Sequence, residues 1–200
     1  MRTNLSQLPS DLPCPVDDGA ASHLEGSFLP SVVLHATDGG SVNLGDLKGR
    51  SVIYVYPMTG RPDIPLPDGW DGIPGARGCT PQSCSFRDHF GELKALGTRV
   101  FGLSAQTTEY QREARDRLHL PFQLLSDSAL LLKSALRLPT FTVAGMELFK
   151  RLTLVAEDDR IRKVFYPVFP PDRNADEVLA WLLSDAQPGA AGDAPQAARP

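Results

Sequence analysis

Two hundred residues, 42% of them hydrophobic, suffice for one globular domain with a single core and some extra length at the ends. A formal charge of −4 argues against nucleic acid or an anionic membrane as a partner, and no apolar run approaches a membrane span. Met1 to Ser6 lack an apolar signal core, so the chain is expected to be cytoplasmic, where a cysteine pair is more often catalytic than structural.

Residues 1–24 are polar and contain Pro and Asp, and are expected to form a loosely held arm. Cys14, between Pro13 and Pro15, reads as incidental, with mixed or intermolecular disulfides as the alternative. Residues 25–186 read as the folded domain. The Ala/Gly/Pro-rich stretch 187–200 reads as a disordered tail. Within the domain, strands are expected over 31–35, 52–56, 99–104, 122–125, 152–156 and 162–166, and helices over 81–96, 107–118, 128–136 and 174–183. Strands alternating with helices, closing on a hairpin and a last helix, predict an α/β domain with a mixed central sheet. There is no internal repeat.

After the strand at 52–56 the chain meets Pro57 and then a segment, 58–75, rich in Pro and Gly. Its composition predicts a stiff, ordered loop rather than a flexible linker. The next helix carries Phe86, Phe90, Leu93 and Leu96 at helical spacing, with Thr80 as an acceptable N-cap and Pro81 suited to the first helical position. Cys79 then lies where unpaired backbone N–H groups and the positive end of the helix dipole converge, an environment that favours thiolate, the nucleophilic form.

Cys84 follows five residues later. On an intact helix that spacing is a rise of about 7.5 Å and a rotation of roughly 140°, leaving the Cα atoms about 8–9 Å apart. A disulfide tolerates roughly 7 Å, so a Cys79–Cys84 bond needs the first turns to unwind. That suits a cysteine oxidised to sulfenic acid and then resolved by local unfolding. Two small core residues would be the plain alternative. A metal site is not indicated, because three cysteines and four histidines (His23, His35, His89, His119) show no ligand spacing.

The run Cys79, Thr80, Gln82, Cys84, Phe86, Arg87, Asp88 resembles the Cys-Thr-x-Gln/Glu-x-Cys-x-Phe-Arg-Asp signature of peroxiredoxins, most of all the peroxiredoxin Q (bacterioferritin comigratory protein) group. The resemblance covers about residues 24–185. It includes 38–50, similar to the family's hairpin and short helix, and 124–127, similar to a strand end. It implies an α/β, thioredoxin-like fold with a mixed central sheet flanked by helices. It also implies an atypical two-cysteine, thioredoxin-dependent peroxidase. Cys79 would attack hydrogen peroxide or an alkyl hydroperoxide, Cys84 would close an intrachain disulfide with it, and a dithiol donor such as thioredoxin would restore both thiols. No metal, haem or flavin cofactor is implied, and family members are often monomers, so a monomer or weak homodimer is expected.

The family's activating arginine lies in an Arg-x-Thr-Phe pattern before an acidic turn, which Arg151-Leu152-Thr153-Leu154 fits best. Arg137 is the rival, set aside because no hairpin turn is read after it. Arg87 would add positive potential at Cys79 or pair with Asp88 or Glu92. One departure stands out: the family's peroxide-loop threonine, three before the cysteine, is Ala76 here. Pro57, Thr59 and Gly78 are the substrate-loop candidates, Thr59 for the missing hydroxyl and Gly78 for backbone N–H groups. Losing that threonine favours the alternative function, a redox sensor or chaperone-like protein switched by cysteine oxidation. A thioredoxin-type reductase is disfavoured because Cys-x-x-Cys is absent.

Overall fold

The computed structural model describes residues 5 and 7–186; the tail expected at 187–200 lies outside the described residues. In chain order the domain has β1 (Val33–Ala36), β2 (Ser41–Asn43), β3 (Arg50–Val55), α1 (Cys79–Asp88), α2 (Phe90–Ala95), β4 (Thr98–Ser104), α3 (Thr108–Arg117) and β5 (Gln123–Ser126). There follow α4 (Leu131–Leu136), β6 (Thr140–Val143), β7 (Met146–Phe149), β8 (Leu152–Glu157), β9 (Arg160–Phe165) and α5 (Asn174–Asp185). No helix among the described residues is long and apolar enough to cross a membrane.

Seven strands form one mixed sheet in the order β2-β1-β5-β4-β3-β8-β9. Strands β3, β4 and β5 run parallel, while β8 is antiparallel to β3 and β1 is antiparallel to β5. The continuous apolar run in β3 has a simple cause. Ile53 and Val55 enter the core on one face of the sheet, and Val52 and Tyr54 enter the core on the other. A strand covered on both faces has no side to leave polar. Phe86, Leu93, Ala114, Val178 and Leu182, from α1, α2, α3 and α5, pack on the Tyr54 face. Leu132 and Leu136 of α4 pack on the Ile53 face. The α/β organisation and mixed central sheet are therefore as the sequence predicts.

Several boundaries differ, each for a local reason. The helix expected over 81–96 is two helices that break at His89, whose ring lies between Glu92 and Asp176. The helix expected from residue 128 starts at Leu131, because the Asp127 carboxylate accepts from the Leu132 and Lys133 amides. The strand expected from 31 starts at Val33, after a turn in which the Val32 amide donates to Pro30.

A hairpin does follow Arg137, contrary to the sequence reading: β6 and β7 pair around Ala144 and Gly145, both with positive φ. A lone two-stranded hairpin is marginal in water. This one gains a partner from far away, since Phe141 and Leu148 pack with Trp70 of the 58–75 segment.

The arm is also more engaged than its composition predicts. Ala21 and Leu24 are buried in the core, and Asp18 takes an ion pair from Lys150 at 2.6 Å and a hydrogen bond from the Tyr166 hydroxyl at 2.7 Å. These partners hold the Asp18 carboxyl well below the usual carboxylate range, the Lys150 hydrogen bond contributing most.

Candidate active site

Cys79 is the first residue of α1, two positions earlier than expected, so Thr80 lies within the helix rather than capping it. Gly78 is the cap, at φ 103°, and the Gln82 amide closes the first turn on the Gly78 carbonyl at 3.0 Å. Glycine is required there. A Cβ at Gly78 would lie 2.3 Å from Pro171 Cγ and 2.9 Å from Leu8 Cδ2, in a backbone conformation that L side chains rarely adopt. Gly78→Ala is therefore expected to lower the thermal midpoint by roughly 5–10 °C, from about 2–3 kcal/mol of strain and overlap, in a circular-dichroism melt. An unchanged midpoint would mean that Pro171 and Leu8 move aside freely.

Arg151 opens the β8 side of the site and is buried, 3% exposed. Its Nη2 donates to Cys79 Sγ at 3.2 Å and to the carbonyls of Gly75, Ala76 and Arg77 at 3.1–3.2 Å. Its Nη1 donates to Gln82 Oε1. One guanidinium thus fixes the loop before the cysteine, the first turn of α1 and the sulfur itself. The planar fork of arginine makes this possible where a lysine would supply one point of charge. Arg137 is exposed at the C-terminal end of α4 with φ 51°. The geometry separates the two arginines, although the hairpin argument used to set Arg137 aside does not hold.

The roof over Cys79 comes from the 58–75 segment and the arm. Leu5, Met58, Gly60, Leu66 and Trp70 enclose with Arg77 to Thr80 a space of about 10 Å³. That is near the least that holds one water. Trp70 is buried, in a short 3₁₀ helix, and packs with Ala76 and Leu148. The methyl of Ala76 thus belongs to the packing under Trp70.

Pro57 is buried at the end of β3. Thr59 faces away from the space on Cys79: its amide (2.9 Å) and hydroxyl (3.1 Å) both donate to Gln106 Oε1, while its neighbours Met58 and Gly60 line that space. Sequence reasoning had no signal for Gln106, which lies 47 residues away, just beyond β4.

Cys84 lies on the same unbroken helix as Cys79, and both thiols are free. Burial pushes the Cys84 thiol up, opposed by Arg87 and reinforced by Asp88. Arg87 donates to Asp88 at 2.9 Å and to the Leu118 carbonyl at 2.9 Å, and no contact with Cys79 is seen. Cys14 is exposed, in a mainly apolar cavity of about 360 Å³ that Arg151, Ile73 and Tyr166 also line.

The chain matches the Redoxin family over residues 24–179. A chloroplastic peroxiredoxin Q of Suaeda salsa is 30% identical over 162 residues, covering 80% of this chain and 68% of the relative. One from Gentiana triflora is 28% identical over 185 residues, covering 88% and 76%. Among solved structures, peroxidoxin BcpB from Mycobacterium tuberculosis superposes with a TM-score of 0.65 at 24% identity, over 80% of this chain and 96% of that one. A cysteine-to-serine mutant of Xylella fastidiosa PrxQ gives 0.65 at 21% identity, over 82% and 97%. The fold is thioredoxin-like. With the match running through both cysteines of α1 and on to α5, the chain belongs to the redoxin family, as a peroxiredoxin of the peroxiredoxin Q (bacterioferritin comigratory protein) group.

Proposed function

We propose that this thiol-dependent peroxidase reduces hydrogen peroxide or alkyl hydroperoxides through Cys79, forms an intrachain disulfide with Cys84, and is recycled by a dithiol donor such as thioredoxin. The observation that carries the reading is the Arg151 guanidinium 3.2 Å from Cys79 Sγ at a helix start, with a second free thiol on the same helix. The Cys79 thiolate attacks the terminal oxygen of R–O–OH. An S–O bond forms as the O–O bond breaks, and the leaving alkoxide takes a proton and departs as ROH. Arg151 stabilises the charge that develops on the oxygens. Cys79 is left as sulfenic acid. After the first turns of α1 unwind, the Cys84 sulfur bonds to the Cys79 sulfur and water leaves. Two electrons from the donor dithiol then restore both thiols by exchange.

The test is intact and peptide mass after one equivalent of hydrogen peroxide. The parent chain is expected to lose two hydrogens in a Cys79–Cys84 link, whereas Cys84→Ser gains one oxygen on Cys79 and stops there. A link through Cys14 would overturn the assignment of Cys84.

The narrow space over Cys79 and the absence of a hydroxyl at Ala76 favour a second reading, a redox sensor that oxidises slowly. Rapid steady-state peroxide consumption with excess thioredoxin would support the peroxidase. One slow turnover would support the sensor.

A further inference from the structure

Arg151 is held by an unusual set of partners. Its acceptors are the carbonyls of residues 75–77, the amide oxygen of Gln82 and the Cys79 sulfur, all without a carboxylate. No carboxylate competes with the sulfur for the guanidinium among these acceptors, and its aim depends on the backbone carbonyls and the Gln82 amide. The Gln82 amide works only one way round, with Oε1 toward Arg151 and Nε2 turned away. Nε2 donates at 2.9 Å to Oδ1 of Asn174, which is fully buried at the start of α5. The hydroxyl of Thr153, two residues after Arg151 on β8, donates to the same Oδ1 at 2.7 Å.

Gln82 Nε2 can only donate, so it demands an acceptor and fixes the orientation of the Asn174 amide. The Thr153 hydroxyl, free to turn either way, adds a second hydrogen bond to the same atom. Among the described residues the Asn174 Nδ2 has no hydrogen-bond partner. A residue placed only to fill space between α1 and α5 would be apolar, because a buried amide costs free energy unless its hydrogen bonds are used. Turned over, Asn174 would set NH₂ against NH₂ and push Gln82 out of its bond to Arg151.

We infer that Asn174, braced by the Thr153 hydroxyl, is a positioning residue that holds Arg151 on Cys79 through Gln82. Asn174 touches neither the sulfur nor the space where peroxide enters. Its effect reaches the reaction through two side chains, from a helix 92 residues along the chain from Gln82. The inference rests on the proposed role of Arg151 in peroxide attack.

The test uses the Cys14→Ser, Cys84→Ser background, where Cys79 is the one thiol, and compares its second-order rates with hydrogen peroxide and with iodoacetamide. Arg151 acts on the O–O bond, which iodoacetamide lacks, so mispositioning it slows the first reaction more than the second. Asn174→Ala is expected to cost roughly tenfold with peroxide and no more than about twofold with iodoacetamide, as outer partners of a site group commonly do. Thr153→Val, which keeps the side-chain shape, is expected to cost about threefold with peroxide, and Thr153→Ser to stay within about twofold of the parent. Should Asn174→Ala fail to fold, the valine and serine pair decides. Equal changes in the two rates, or none, would overturn the inference. Arg151→Ala in the same background separates the failures: if it too leaves the ratio of rates unchanged, the role of Arg151 is wrong rather than its link to Asn174.

Discussion

A chain carrying Cys79→Ser is expected to consume no hydrogen peroxide above the uncatalysed background, single turnover included. The reason lies in the nucleophile. The site offers a cation 3.2 Å from the sulfur and the N-terminus of α1, and sulfur is the atom proposed to attack the peroxide. A serine hydroxyl has no base beside it: the nearest acceptor to the Cys79 thiol is the Ala76 carbonyl, at 3.6 Å. The loss is chemical rather than structural, so the melting profile of the variant should match the parent within a degree or two. Peroxide consumption measured with thioredoxin in excess checks the first point, and a circular-dichroism melt checks the second. Residual turnover carried by Cys84 would show that the roles of the two thiols are reversed.

Arg151→Ala is the second large effect, a fall of about 10² to 10³ in the rate of peroxide attack, the scale on which preorganised donors act at developing oxyanions. It also leaves the carbonyls of Gly75, Ala76 and Arg77 without the donor they share, so a lower thermal midpoint is expected as well. Arg151→Lys separates these contributions. It keeps a positive charge but loses the fork that joins Cys79, Gln82 and the loop, and should fall between alanine and the parent. Arg137→Ala, on the exposed end of α4, should stay within about twofold of the parent. Single-turnover mixing can be followed through Trp70, whose ring lines the same small space as Cys79. If Arg137→Ala produces the large loss, the proposed register of β8 in the site is wrong.

How far these residues could be read before the fold was seen depends on how local each signal is. Cys79, Cys84 and the start of α1 lie within one helix, and helix-terminus chemistry, Pro in the first turn and apolar residues at helical spacing act over a few positions. The same holds for β3, β4, β5 and β8, whose apolar residues mark strands. Shorter elements were less visible. The Ala144-Gly145 turn is a weak hairpin signal, and the hairpin is stabilised by Trp70, some 70 residues earlier. The arm reads as loose because it is polar, yet Asp18 finds Lys150 and Tyr166 on the far side of the chain.

Thr59 shows the limit most clearly. Its hydroxyl and its place near the family loop made it the natural substitute for the threonine that Ala76 lacks. Which way that hydroxyl points was settled by Gln106, which takes both the amide and the hydroxyl of Thr59. The choice between Arg151 and Arg137 is of the same kind. Pattern favoured Arg151, but only the antiparallel pairing of β8 with β3 brings that residue beside the helix that starts at residue 79.

Reaction class, the two candidate thiols and α/β organisation are thus legible in the chain, because each depends on residue type and on neighbours within a turn or a strand. The narrow space over Cys79, the contacts that link Arg151 to Gln82, Asn174 and Thr153, and the diversion of Thr59 to Gln106 are not. They rest on hydrogen bonds and van der Waals contacts between residues tens of positions apart, whose directions exist only once the sheet has brought its strands and helices together.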